Sequence, residues 1–108
     1  MEKRRHNRFF ISLHAKVIAD GKSFDGVIEN VSDEGVASTI TTHLKADQDF
    51  SPHKIVELSF QLPTGESINM NCEVRWFLRP SSNNSSVMLG LHVEDAPQSY
   101  KDWIHKYK

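Results

Sequence analysis

The sequence predicts an all-β fold: six short strands closing into an antiparallel β-barrel, followed by one C-terminal α-helix. Two observations carry this. Between residues 11 and 93, apolar and polar side chains alternate in run after run, the period of half-buried strands. Beyond residue 95 the period lengthens: Tyr100, Trp103, Ile104 and Tyr107 stand at i, i+3, i+4 and i+7, on one face of a helix. Six such strands can close into a small barrel, which removes their exposed edges.

The elements follow in order. Ile11, Leu13, Ala15 and Val17 share one face of a first strand, with Ser12, His14 and Lys16 on the other. Ala19-Asp20-Gly21-Lys22 reads as a turn. Residues 23–31 form a second strand with a less regular face, and residues 35–41 a short third. The polar stretch 42–53, closed by Pro52, reads as a loop. Val56, Leu58, Phe60 and Leu62 then alternate with polar residues, and after the Pro63-Thr64-Gly65 turn so do Ile68, Met70, Cys72, Val74 and Trp76, which makes a hairpin. This alternation puts Trp76 on the core-facing side. The polar run 80–86 is a loop, and Val87, Leu89, Leu91 and Val93 give the last strand. Pro97 suits the first turn of the helix, and Lys101, Lys106 and Lys108 lie toward its C-terminal end, where the helix dipole favours cations.

A chain of 108 residues suits a single domain, divided here into a basic arm (1–8), a barrel (9–94) and a helix (95–108). With 38% hydrophobic and 25% charged residues it is globular rather than disordered. The net charge is −1, but Lys3, Arg4, Arg5 and Arg8 against Glu2 give residues 1–8 a net +3, which leaves −4 on the other 100. A basic arm on a mildly acidic body points to a local anion contact, not a broad nucleic-acid face. One cysteine, Cys72, excludes an intrachain disulfide and fits a reducing setting. No apolar run approaches the ~20 residues of a membrane span, and the N-terminus carries no signal-like apolar stretch. A soluble, cytoplasmic protein is expected.

Two segments carry candidate chemistry. In Arg4-Arg5-His6-Asn7-Arg8, two arginines stand four apart just before the first strand. A guanidinium is planar and always charged; its fork grips phosphate through two hydrogen bonds and matches the O6/N7 edge of guanine. In Asn30-Val31-Ser32-Asp33-Glu34-Gly35, polar donors and acceptors sit at a strand end beside a glycine. Alone, the first is an ordinary solvated tail and the second an ordinary turn.

Together, in this order, they resemble the PilZ family, whose pattern is Arg-x-x-x-Arg before the first strand, then Asp/Asn-x-Ser-x-x-Gly. Arg4 and Arg8 fill the first motif; Asn30, Ser32 and Gly35 fill the second. Glu73-Val74-Arg75-Trp76 and Gly90-Leu91-His92-Val93 are similar to the family's late strands. The resemblance implies a receptor for cyclic di-GMP, with no other cofactor. Arg4 and Arg8, helped by Arg5, would contact phosphates and guanine edges. Asn30 and Ser32 would hydrogen-bond the ligand on the barrel face, and Gly35 would hold the turn and leave it space. The family suggests motility, exopolysaccharide and biofilm control, exerted through a downstream protein. Ligand capture would order the arm.

Other classes fit less well. Six histidines show no paired ligand spacing, so no metal is expected. Cys72 lies on an apolar face with Met70 and Val74, a core thiol rather than a nucleophile. No Gly-rich phosphate loop or nucleophile elbow is present, and Asp33-Glu34 are neighbours whose side chains diverge, a poor acid–base pair; no enzyme is expected. Two alternatives stand beside the receptor: a PilZ-like protein-interaction module that binds no nucleotide, and a small barrel for single-stranded nucleic acid. The acidic body and the core-facing aromatics argue against the last, so neither DNA, RNA nor a membrane is an expected partner.

Overall fold

The alternating runs become β1 (Phe9–Ala19), β2 (Lys22–Val31), β3 (Gly35–Ile40), β4 (Ile55–Gln61), β5 (Ser67–Leu78) and β6 (Val87–Asp95), followed by α1 (Gln98–His105). The structure, a computed structural model, describes residues 8–40, 50–78 and 86–106. Every strand pair is antiparallel, in the order β1-β2-β3-β6-β5-β4, and β4 pairs back onto β1 to close the barrel. The predicted fold class is therefore the one observed. Arg4, Arg5, Tyr107 and most of the loops predicted at 42–53 and 80–86 lie outside the described residues.

Val17, Ile28, Val36, Leu58, Ile68, Cys72, Val74 and Leu89 fill the barrel, as the alternation requires. Closure is short on one seam. β1 pairs with β4 only from Ile18↔Glu57 to Ala15↔Phe60. There α1 takes over: the Phe60 ring meets Tyr100 at 6.3 Å and Trp103 at 6.4 Å, centroid to centroid. Tyr100, Trp103 and Ile104 are all buried, so the apolar stripe of the helix faces the barrel core. Pro97 is the N-cap, one residue outside the helix rather than in its first turn.

Three of the four irregularities in register decide what the outer surface carries. Ile28 pairs with Ser38 and Asn30 with Ala37, so Glu29 is an extra residue in β2. This β-bulge explains the irregular face of the second strand: Phe24, Gly26 and Ile28 are buried at steps of two, then Val31 after a step of three. β1 answers with a shift between Phe10 and Leu13. In β5, Val74 pairs with Leu91 and Trp76 with Gly90, so Arg75 is extra.

That last bulge corrects the sequence reading. Trp76 does not face the core; the bulge reverses the alternation, and the indole lies on the outer surface, 46% exposed. The polar stretch 42–53 also hides a core residue. Phe50 is fully buried and meets the Phe24 ring edge-on at 5.2 Å. A lone aromatic among polar residues has no period to reveal it.

Candidate functional site

The Asn30–Gly35 segment is the β2–β3 connection. Ser32 N–H donates to the Gly35 carbonyl at 2.8 Å, and Gly35 N–H donates to Ser32 Oγ at 3.1 Å. One residue, through its backbone N–H and its hydroxyl, thus closes the turn, and Ser32 is only 2% exposed. Outside this turn, Val93 N–H donates to the Glu34 carbonyl at 2.8 Å, which ties it to β6. On its inner side, the Tyr100 hydroxyl donates to the Ser32 carbonyl at 2.8 Å.

Arg8 precedes β1 and reaches this turn. Its Nη1–H donates to Asn30 Oδ1 across 22 residues of sequence. Its Nη2 lies over Gly35: a Cβ built on Gly35 would stand 3.0 Å from Arg8 Nη2 and 3.3 Å from the Leu91 carbonyl oxygen. Gly35 does not sit in the left-handed region of backbone space. Clearance beneath a guanidinium, rather than a turn dihedral, explains glycine here.

The structure therefore joins three of the predicted residues, Arg8, Asn30 and Gly35, in one contact set, with Ser32 buried beneath it. Asn30 engages one of the five N–H donors of Arg8 and fixes the fork at the barrel surface. An exposed, positioned guanidinium can take an anion or a guanine edge with little further ordering cost.

Cross-strand register extends this site further than the motifs do. Phe10 pairs with Asn30, Asn30 with Ala37, Ala37 with Gly90 and Gly90 with Trp76. The row crosses five strands, roughly 19 Å at the usual spacing between strands. Its middle is small (Ala37, Gly90), and its ends are exposed aromatics, Phe10 at 84% and Trp76. A Cβ on Gly90 would lie 2.2 Å from Trp76 Cε2, so the indole lies directly on that glycine. Such a surface offers a flat, shallow floor with an aromatic wall, suited to a planar base. The sequence carried the residues of this row but not the bulges that align them.

Other groups take structural roles. Burial pushes the Cys72 thiol up to about 12, which keeps it protonated and unreactive. Glu73 is held below the ordinary carboxylate range, first by hydrogen bonding with His53, whose Nδ1 stands 2.7 Å away, and then by Arg75. Lys16, 2.9 Å from Asp25, lowers that carboxyl in the same way. Among the described residues, no three His, Cys, Asp or Glu converge on a metal position, and no helix is long and apolar enough to cross a membrane.

The PilZ domain family model matches residues 2–107. The chain belongs to the PilZ domain family. PilZ domains serve as receptors and adaptors, and no catalytic family is indicated. A solved structure, that of the Bacillus subtilis inhibitor of motility (MotI/DgrA), superposes with a TM-score of 0.80 at 15% identity. It covers 99% of this chain but 50% of its own, so this chain spans half the length of that protein. At that identity the likeness is one of fold. No curated protein sequence matches the chain.

Proposed function

We propose that this PilZ domain is a cyclic di-GMP receptor that works as an adaptor. The observation that carries it is the meeting of both motifs at one point: Arg8 of the arm is held by Asn30 over Gly35, on the open face of the barrel. Arg8 would grip a phosphate or guanine edge there, with Arg4 and Arg5 closing from the arm. Trp76 would offer its exposed indole to a guanine at the far end of the row. Ser32 would act mainly through the turn it closes. Binding is expected to fold the N-terminal arm against the barrel as its arginines close on the ligand. Unchanged amide relaxation of residues 2–8 on adding ligand would rule that out.

The output would pass to a partner protein in the cytoplasm. The fold likeness to an inhibitor of motility makes motility control the first process to examine, with biofilm formation second. The deciding experiment is isothermal titration calorimetry with cyclic di-GMP on wild type, Arg8→Ala and Arg4→Ala. Each substitution removes a charge-assisted contact of about 1.5–3 kcal/mol, an affinity loss of roughly tenfold or more. Both precede β1, so the barrel should keep its thermal transition. Silence from the wild type would leave the ligand-free interaction module as the better account.

A further inference from the structure

The Ser32–Gly35 turn has two sides. Arg8 rests on the outer one; Tyr100 holds the inner one through the Ser32 carbonyl. That carbonyl belongs to the residue whose N–H and hydroxyl close the turn, so any change in turn shape moves the acceptor of the Tyr100 hydrogen bond. Both partners are buried, where a misplaced hydroxyl has no water to turn to. Burial also raises the tyrosine above its ordinary value, so it stays a neutral donor.

Tyr100 belongs to a helix with little stability of its own. α1 has eight residues, too short to persist in water without tertiary contacts. It is held by Tyr100, Trp103 and Ile104. Beside the hydrogen bond the helix and the turn separate: a cleft of about 230 Å³ lies between them, lined by Asp33, Tyr100, Lys101, Ile104 and His105. The two elements are thus joined at a buried point with room alongside it, an arrangement in which the helix can dock tightly or loosely.

We propose that Tyr100 is a positioning residue for the ligand-binding turn, and that through it α1 tightens when the outer face is occupied. This rests on the cyclic di-GMP assignment above. A ligand that favours the closed turn favours the docked helix that supports it. Linkage makes the effect reciprocal: whatever loosens α1 weakens ligand binding by the same factor. The exposed face of α1, with Lys101, Asp102 and His105, then reports occupancy to a partner.

The test is hydrogen exchange of residues 98–106 in wild type and Tyr100→Phe, with and without cyclic di-GMP, beside calorimetry on the same samples. In wild type, ligand should slow exchange across α1 several-fold. Tyr100→Phe keeps the ring in the core and removes only the hydroxyl. It should bind about three- to tenfold more weakly, the value of one neutral hydrogen bond, and lose ligand-dependent protection of α1. Ile104→Ala loosens the helix without touching the hydrogen bond and should also weaken binding; this variant carries the test if Tyr100→Phe does not fold. Tight wild-type binding with unaltered α1 exchange overturns this inference alone, as does full affinity and full protection in Tyr100→Phe. No binding by the wild type overturns the receptor assignment and this inference with it.

Discussion

Single residues in this domain are chosen for what lies above them. Gly35 and Gly90 both occupy strand positions where a methyl group would crowd an overlying side chain, Arg8 in one case and Trp76 in the other. At Gly90 the conflict is severe, because the rigid indole itself is in the way rather than the end of a flexible chain. Gly90→Ala should drive Trp76 off the strand, shift its emission to the red and lower stability by about 1–3 kcal/mol, as overpacking does. Trp103, 5% exposed, stays as the buried reference. An unshifted spectrum with an unchanged urea midpoint would mean that the indole does not rest on Gly90.

At the level of elements, strands supply the core and bulges align the candidate site. Glu29 turns Asn30 outward while Val31 stays in the core, and Arg75 does the same for Trp76 while Val74 stays buried. This marks the limit of what the sequence showed. Alternation from Ile68 to Val74 is regular and was legible; one extra residue within a strand leaves no period of its own, so Trp76 was placed on the wrong face. The two motifs were legible through their spacing. Their meeting through Arg8 and Asn30 depends on long-range pairing that no local pattern encodes. The β4–β5 hairpin carries its own test. Because Glu73 is held below its unfolded value, the His53 contact stabilises the protein above the ordinary carboxylate range and is lost as pH falls through the folded value. His53→Ala should therefore be less stable than wild type at pH 6, with the deficit shrinking toward pH 3 in urea titrations. An equal deficit at both would assign the effect to packing instead.

Taken whole, the molecule is a barrel whose weakest seam is covered by a helix. β1 and β4 share only four paired positions, and the aromatic group of Phe60, Tyr100 and Trp103 occupies the place where that pairing ends. Phe60→Ala should cost about 3–5 kcal/mol, by lost transfer energy and a cavity. For a domain of this size that lowers Tm by roughly 12 °C or more. A loss under about 1 kcal/mol would show that the helix covers the seam without Phe60.

The strand order also sets a timetable for synthesis. β4, the second neighbour of β1, leaves the ribosome nearly forty residues after it, and β3 waits for β6. Until then both flanks of the β1–β2–β3 meander offer open hydrogen-bonding edges to any other nascent chain. α1, made after every strand, arrives as the last piece of the seam. A ribosome that stalls within β5 would leave a product with its Ser32–Gly35 turn residues complete, yet with neither β6 beside the turn nor Tyr100 beneath it.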